Sequence, residues 1–205
     1  ESTRPYGSEP IAADEELKRL QPILADVVAL GIPVSIDSMK SAVVAWALDA
    51  GATIANDIWG LQRDPDMARL VAARHCPVVI MHNRDRADAG IDIMKDIAAF
   101  FARSLELAAR VGISPENIVL DPGIGFGKTP EQSMMALARL RELQSFGLPL
   151  LVGASRKRFI STVTPSEPHQ RLGGSIAAHL IAAKGGARII RTHDVRPAVE
   201  AAAVA

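Results

Sequence analysis

Short apolar runs alternate with longer amphipathic segments along the 205 residues of the chain. The short runs lack the apolar and polar alternation of a half-exposed strand, which is typical of parallel strands buried on both faces. Strands are predicted at 33–37, 52–56, 77–82, 117–121, 149–153 and 187–191. Helices are predicted at 12–30, 39–50, 65–74, 91–111, 130–146 and 170–184, with a last one from 196.

This regular order of strands and helices predicts an α/β fold, either a doubly wound sheet or most of a (β/α)₈ TIM barrel. The chain opens with a loop that leads into a helix, as if it entered a barrel partway through a strand–helix unit. We therefore expect a (β/α)₈ barrel with the first two strands missing from this chain. The length fits a single domain over 1–205, incomplete at its N-terminus, with long loops at 83–90 and 161–170.

Polar residues stand at the ends of all the predicted strands. The carboxyl ends of parallel strands meet at one face of a barrel or open sheet, where catalytic groups usually lie. The strand-end residues are therefore expected to share one site: Asp37, Asn56, His82, Asp121, Ser155, Arg191 and His193.

Composition narrows the classes of partner that the chain can have. The 23 basic residues balance 23 acidic ones, which argues against nucleic acid or an anionic membrane as a partner. The single cysteine, Cys76, excludes an internal disulfide and fits a reducing compartment. No apolar run approaches the length of about 20 residues that a membrane span needs, and no signal peptide opens the chain. A soluble, cytoplasmic protein that binds small molecules is expected.

The glycine-rich segment 121–129 is the densest motif in the chain. It is not a nucleotide loop, because the Walker pattern needs glycine where Pro122 stands and the dinucleotide pattern needs glycine where Lys128 stands. A flexible turn is the plain alternative, but it leaves the carboxylate of Asp121 unexplained at the end of a buried strand. Together with Asp37 and Asn56, this carboxylate would suit a ligand that offers several N–H donors. Phe126 would offer it a flat face.

Basic residues follow the last two predicted strands. Lys157 and Arg191 stand where strands seven and eight of a barrel place a phosphate site, and with His193 they would clamp an anionic leaving group. Arg158 is assigned to the solvated surface. His82 is left open between a ligand contact and a contact with a backbone carbonyl. The remaining histidines are interpreted as structural or surface residues: His75, His169 and His179. No close cluster of metal ligands is seen, so any metal is expected to be Mg²⁺ held through a substrate phosphate.

Several of these segments, in this order and spacing, closely resemble the dihydropteroate synthase family of pterin-binding enzymes. The segments are 1–5, 36–38, 56–58, 81–82, 120–128, 153–160 and 191–195. The resemblance implies a (β/α)₈ barrel that joins 4-aminobenzoate to 6-hydroxymethyl-7,8-dihydropterin pyrophosphate in folate synthesis. Pyrophosphate is released and Mg²⁺ takes part. It also implies a homodimer and a target of sulfonamides.

The resemblance further implies the role of individual residues. The implied pterin contacts are Asp37, Asn56, Ile58, Met81, Asp121, Phe126, Gly153 and Lys157. The implied contacts to aminobenzoate and pyrophosphate are Thr3, Arg4, Pro5, Ser155, Arg191 and His193. The residues expected to support catalysis are Lys157, Arg191 and His193, by positioning and electrostatic stabilisation and without a nucleophile.

Two departures from the family pattern accompany this resemblance. The family's first loop, with an Asn that contacts Mg²⁺ and pyrophosphate, is expected upstream of this chain, so no metal ligand is expected within it. The 205-residue chain by itself is therefore expected to be inactive and the natural protein longer. The resemblance places Thr3, Arg4 and Pro5 in a mobile loop, and Tyr6-Gly7, where the family usually has a glycine after the proline, lengthens that loop by one residue. Two alternatives stay open: a pterin-binding methyltransferase domain, disfavoured by the segments 155–157 and 191–193, and a catalytically silent scaffold domain.

Overall fold

The computed structural model describes residues 11–205 and has an α/β fold with six parallel strands. The strands are β1 (Ser35–Asp37), β2 (Ile54–Asp57), β3 (Val78–Met81), β4 (Ile118–Asp121), β5 (Leu150–Val152) and β6 (Ala187–Ile190). The helices are α1 (Ala13–Val28), α2 (Ser41–Asp49), α3 (Met67–Arg74), α4 (Ile93–Val111), α5 (Pro130–Ala138), α6 (Arg158–Val163), α7 (Leu172–Lys184) and α8 (Val195–Val204). Short 3₁₀ helices lie at Pro115–Asn117, Leu140–Phe146 and Pro168–Gln170.

The contacts within the chain divide it into two units. The first unit comprises two segments, the described residues up to Met81 and the stretch Phe101–Val119. The second unit comprises His82–Phe100 and Leu120–Ala205. The prediction of one domain stays a prediction. Among residues 11–205, no helix has the length and apolar character that crossing a membrane requires.

In the first unit, β2 lies between β1 and β3. Asp37 is the register partner of Asn56, and Asn56 is in turn the partner of Val79. Because the strands are parallel and in register, the polar residues that end β1 and β2 lie side by side. The core under them is apolar, with Val43, Val44, Ala47, Met67, Val71 and Phe101 all buried.

In the second unit, β5 lies between β4 and β6. Leu120 pairs with Leu150, and Val152 pairs with Ile190 after a register shift that begins at Leu150. This register brings the residue that ends β4 close to the residues that follow β5 and β6. The carboxyl ends of these three strands therefore supply side chains to one part of the unit.

Burial differs between the strands more than their apolar sequences predict. The central strand β5 is wholly buried, whereas β1 has two exposed residues and β6 exposes Arg188 and Ile189. The expectation that every strand is buried on both faces is therefore wrong for β1 and β6. Each of these two pairs with only one described strand, so fewer neighbours cover it.

Two helical predictions are corrected by the structure. The helix predicted over 130–146 ends as α5 at Ala138, and a 3₁₀ helix continues to Phe146. Leu137, Leu140 and Leu143 are all buried, and their spacing of three residues matches one face of a 3₁₀ helix better than that of an α-helix. The loop predicted over 161–170 holds the end of α6, whose six residues are too few to show a helical period.

Candidate active site

Asp121 ends β4 as a buried carboxylate surrounded by cations. Its Oδ1 accepts a hydrogen bond from the Gly123 amide at 2.7 Å, and its Oδ2 lies 3.3 Å from Nη2 of Arg191. Burial raises the pKa of Asp121 above its ordinary value, and the charges of Arg191 and Lys157 oppose that rise together with the Gly123 hydrogen bond. The carboxylate oxygens of Asp121 are therefore buried hydrogen-bond acceptors in the second unit. The positively charged side chains of Arg191 and Lys157 lie close to them.

The glycine loop, which we define as residues 123–127, follows Asp121 directly. Gly123, Gly125 and Gly127 adopt φ angles of 64°, 81° and 54°, in the left-handed region where a side chain causes strain. At Gly127 a Cβ atom would also lie 2.5 Å from the carbonyl oxygen of Arg84. The loop ends at the N-terminus of α5, which is capped by Thr129 and its reciprocal partner Gln132. Glycine is therefore required for the path of the loop and for its close approach to the segment after β3.

Phe126 places an aromatic ring at the middle of the glycine loop. The ring is partly exposed, and Nζ of Lys157 lies 4.1 Å from its centroid. A cation at this distance is attracted by the face of the ring. The pair combines a flat apolar surface with a positive charge close to Asp121.

Arg191 follows β6 and is partly exposed, with a side-chain exposure of 39%. A Cβ atom at Gly153 would lie 3.0 Å from both Nε and Nη2 of Arg191. The absence of a side chain at Gly153 thus makes room for the guanidinium group, although the backbone of Gly153 needs no unusual φ. This explains physically why a glycine follows β5 at the predicted site.

Ser155 and His193 contact each other after β5 and β6. The hydroxyl of Ser155 accepts a hydrogen bond from the His193 amide at 3.2 Å and lies 2.9 Å from Nδ1 of its ring. Next to this pair, Arg156 makes two contacts with the carboxylate of Asp194, at 3.1 and 2.7 Å. These contacts hold the segment after β6 against the segment after β5, with the ring of His193 at the surface of the unit.

A chain of polar side chains, buried at His82 and Lys128 and partly exposed at Asp96, contacts the glycine loop. The ring of His82 is fully buried, with Nε2 2.9 Å from Oδ2 of Asp96 and Nδ1 2.6 Å from Nζ of Lys128. Lys128 also donates to the carbonyl oxygens of Gly123 and Phe126, at 2.9 and 3.1 Å. His82 thus contacts side chains rather than the backbone carbonyl considered for it. The sequence reasoning missed Lys128, whose only signal was a lysine inside an otherwise apolar, glycine-rich segment.

Burial and neighbouring charge set the protonation states of this polar chain. Burial, reinforced by the positive charge of Lys128, lowers the pKa of His82 to about 3, so the ring is neutral. Burial also lowers the pKa of Lys128 to about 7, against the opposing effect of Asp121 and Asp96. A neutral ring that accepts from Lys128 at Nδ1 carries its proton on Nε2 and donates it to Asp96.

The predicted residues of the first unit lie at the ends of β1 and β2 and at the end of β3. Asp37 is exposed, while Asn56, Ile58 and Met81 are buried. Next to Asn56, Asp57 is buried and accepts hydrogen bonds from the amides of Trp59 and Leu61, at 2.9 and 2.6 Å. Burial raises the pKa of Asp57 to about 6. The sequence analysis gave Asp57 no role.

Each unit therefore brings together its own share of the predicted site. The second unit gathers Asp121, Phe126, Gly153, Ser155, Lys157, Arg191 and His193. The first unit gathers Asp37 and Asn56 by strand register. Thr3, Arg4, Pro5 and the Tyr6-Gly7 pair lie outside the described residues. The arrangement in the second unit suits a ligand with N–H donors at one end and negative charge at the other.

Comparison with known sequences identifies the class of protein to which this fold and these strand-end residues belong. The sequence profile described as "Pterin binding enzyme" matches residues 1–193. The chain therefore belongs to the pterin-binding enzyme family.

Within that family, the chain is similar to several dihydropteroate synthases. The dihydropteroate synthase of Bacillus subtilis (strain 168) is 39% identical over 197 residues, which cover 96% of this chain and 68% of the relative. The structure of the Xanthomonas albilineans enzyme with 4-aminobenzoic acid has a TM-score of 0.95 and 39% identity, covering all of this chain and 75% of that one. The Yersinia pestis enzyme, solved with a sulfonamide drug, has a TM-score of 0.92 and 38% identity, covering 100% of this chain and 76% of that one. The activity is thus that of a dihydropteroate synthase, a transferase of folate biosynthesis.

Proposed function

We propose that the second unit carries the reacting end of a dihydropteroate synthase site. The reaction condenses 6-hydroxymethyl-7,8-dihydropterin pyrophosphate with 4-aminobenzoate to give 7,8-dihydropteroate and pyrophosphate. The single observation that carries the assignment is the buried carboxylate of Asp121, which contacts Arg191 and lies within the electrostatic reach of Lys157, the lysine that stands over the ring of Phe126. It joins an acceptor for N–H groups, an aromatic face and two positive charges.

Asp121 binds the amino-pyrimidine edge of the pterin in this proposal. That edge offers neighbouring N–H donors, and a buried carboxylate accepts two of them in charge-assisted hydrogen bonds. Phe126 packs against the flat ring, and Lys157 stands within reach of the same ligand. The other pterin contacts that we propose are Asp37, Asn56, Ile58, Met81 and Gly153.

The anionic end of the substrate is assigned to the residues after β5 and β6. Arg191 offers a partly exposed guanidinium group whose planar fork matches phosphate oxygens. His193 is exposed beside it and anchored to Ser155. We propose that Arg191 and His193 hold the pyrophosphate and that Ser155 and Lys157 border the aminobenzoate. Thr3, Arg4 and Pro5 are proposed to enclose both.

The chemistry is a displacement at the methylene carbon of the pterin. The bond between this carbon and the pyrophosphate oxygen breaks, and the electron pair leaves with pyrophosphate. The amine nitrogen of aminobenzoate forms the new bond to carbon and then loses a proton. Holding both substrates in line and neutralising the departing negative charge are the contributions of the protein, so no nucleophilic side chain is needed.

Magnesium is proposed to reach the site with the substrate. Across residues 11–205 no group of three or more His, Cys, Asp or Glu side chains is arranged to hold a metal ion. Mg²⁺ is commonly bound through phosphate oxygens with few protein ligands, which fits a pyrophosphate substrate. The ion would neutralise charge on the leaving group, and the roles assigned above do not depend on it.

A homodimer in the cytoplasm is also proposed. Apolar side chains on α7 and around α8 are exposed, among them Ile181, Val195 and Val199, and a second copy of the chain would cover them. The single cysteine fits a reducing compartment. Sedimentation analysis tests the assembly, and cell fractionation tests the location.

The assignment of Arg191 is tested with the protein at its full natural length. Arg191→Met should lower kcat/KM for the pterin pyrophosphate about 100-fold or more, because a phosphate contact and a charge beside Asp121 are both removed. Pyrophosphate release is the measurement. Arg196→Met is the matched control, since Arg196 is exposed and pairs only with Glu200 among the ion pairs described.

Product formation separates this reaction from the two alternatives. A methyltransferase or a silent scaffold domain would release no pyrophosphate from these substrates, and neither would need the cations at the ends of β5 and β6. Wild-type protein that binds a pterin but forms no dihydropteroate would overturn the proposed function. Arg191→Met with unchanged kinetics would overturn the role of Arg191 alone.

A further inference from the structure

The polar side chains that hold the glycine loop, a group we call the polar network, have no part in the substrate contacts proposed above. The polar network consists of Arg84, Asp96, His82 and Lys128, with Nη1 of Arg84 3.0 Å from Oδ2 of Asp96. His82 is also packed edge-on against Phe100, with the ring centroids 5.0 Å apart. Burying a lysine and an imidazole in this way is costly unless each polar atom finds a partner. The burial of Lys128 and His82 therefore needs an explanation beyond packing.

Lys128 has a full set of hydrogen-bond acceptors inside the protein. In its protonated form Lys128 has three N–H groups, and three acceptors lie within reach: Nδ1 of His82 and the carbonyl oxygens of Gly123 and Phe126. A substrate contact would have to break one of these bonds. Lys128 is therefore suited to holding the backbone of the glycine loop rather than to binding a ligand directly.

The two carbonyl groups that Lys128 binds lie at the two ends of the turn in the glycine loop. Gly123 donates its amide to Asp121, and the Phe126 amide donates to the Gly123 carbonyl at 3.0 Å. Glycine-rich backbone has many accessible conformations, so it gives little rigidity of its own. A lysine that binds both ends of the turn fixes the positions of Asp121 and of the Phe126 ring together.

The position of Lys128 is in turn fixed by His82, Asp96 and Arg84. His82 accepts from Lys128 at one nitrogen and donates to Asp96 at the other, and Asp96 is held by Arg84. The close approach of Gly127 to Arg84, and the bond from Gln132 to the carbonyl of Asp88 at 2.6 Å, join the same two segments. His82 contacts Lys128 directly, and the charged groups close enough to act on it electrostatically are Asp121, Asp96, Arg84 and Lys157.

We propose that Lys128 is a positioning residue for the pterin site, held in place by His82 and Asp96, and that it sets the geometry of Asp121 and Phe126 through the glycine loop. This inference deepens the proposed function and rests on it. It predicts that removing a hydrogen bond between His82 and Lys128, or between Lys128 and the loop, weakens pterin binding. The contacts to aminobenzoate should stay largely unchanged. A lysine that only stabilised the fold would not distinguish between the two substrates.

Lys128→Met tests the inference directly, because methionine has nearly the same length and no donor. With 6-hydroxymethylpterin as the probe, the Kd should rise about 10- to 100-fold, since two loop carbonyl groups lose the hydrogen bond that Lys128 donates. The KM for aminobenzoate, at saturating pterin pyrophosphate, should change less than about 3-fold. Leu143→Ala is the control, because Leu143 is buried in the 3₁₀ helix of the same unit and lies outside the glycine loop in sequence. It should lower Tm without changing the Kd.

A pair of substitutions at His82 provides a second test that does not depend on the lysine variant folding. His82→Gln keeps one acceptor for Lys128 and one donor for Asp96, whereas His82→Leu keeps neither. The glutamine variant should stay within about 3-fold of the wild-type Kd for 6-hydroxymethylpterin. The leucine variant should bind about 10-fold more weakly.

The outcomes distinguish this inference from the proposed function. If the wild-type protein failed to bind 6-hydroxymethylpterin or to form dihydropteroate, the proposed function would fail first. A second outcome is that the wild type and Lys128→Met bind 6-hydroxymethylpterin with the same Kd. If Lys128→Met then lowered Tm as Leu143→Ala does, the role of Lys128 would be structural only. Equal effects of the two His82 variants on the Kd would likewise overturn the positioning role.

Discussion

The carboxyl ends of β2 and β4 offer two buried aspartates with opposite surroundings. Asp57 and Asp121 are 2% and 1% exposed. Asp57 accepts two hydrogen bonds from the amides of its own loop, at Trp59 and Leu61. Asp121 accepts only one such bond, from Gly123, and its second oxygen lies beside the charged side chain of Arg191.

The difference teaches how to separate a structural carboxylate from a binding one. Backbone amides that belong to a folded turn cannot leave without unfolding it, so the oxygens of Asp57 are committed to the turn in which Leu61 has a φ of 68°. A partly exposed arginine can move aside, so the outer oxygen of Asp121 can exchange its partner for a ligand. Three experiments test this difference between the two aspartates.

The largest expected effect comes from replacing each aspartate with asparagine. Asp121→Asn should weaken the binding of 6-hydroxymethylpterin by about 2–4 kcal/mol, because a charged acceptor is replaced by an amide whose N–H₂ group opposes the donors of the pterin. Asp57→Asn should change the same binding energy by less than about 1 kcal/mol. Titration calorimetry measures both. Equal losses would show that the two carboxylates do not differ in role.

The second effect concerns stability and pH. The pKa of Asp57 is raised from 3.8 to about 6, so its contribution to stability is full below pH 3.8 and is lost as the pH rises through 6. The unfolding free energy of the wild type, relative to Asp57→Asn, should therefore fall by about 2 kcal/mol between pH 4 and pH 7. Urea unfolding at several pH values measures it. A constant difference would contradict the burial argument.

The smallest effect concerns the aromatic face beside Asp121. Phe126→Leu keeps an apolar side chain but removes the ring that Lys157 lies over. The affinity for 6-hydroxymethylpterin should fall by about 1 kcal/mol, because stacking on the flat ring is lost. Phe146→Leu, in the 3₁₀ helix of the same unit, is the matched control and should leave the affinity unchanged. Identical affinities of the two variants for 6-hydroxymethylpterin would show that Phe126 does not contact the pterin.

Much of the fold could be predicted because its signals are local. The strand predicted over 117–121 is observed at Ile118–Asp121, and the helix predicted over 91–111 at Ile93–Val111. The misses have physical causes: α6 is too short to show a period, and buried leucines continue from α5 into the 3₁₀ helix without interruption, so no local signal marks the boundary at Ala138. Exposure of β1 and β6 depends on which strands stand beside them, which apolar composition does not encode.

The candidate site was predictable to a similar extent. The strand ends identified Asp121 and Arg191, and their contact of 3.3 Å joins residues 70 positions apart. The same pattern could not assign His82, nor could it find Lys128, whose contact with His82 spans 46 positions. Lys128 stands inside a glycine-rich segment where local pattern gives a lysine no obvious partner.

The sequence alone determined the alternation of strands and helices, the polar residues at the strand ends and the resemblance to dihydropteroate synthases, because each depends on the type and spacing of nearby residues. Only the tertiary structure decided which of these residues are committed to the fold and which are available to a ligand. Asp57, Asp121 and Lys128 differ in the partners that surround them, and those partners set both burial cost and protonation. For Asp121 and Lys128, the decisive partners come from distant parts of the chain, so folding is what assigns them.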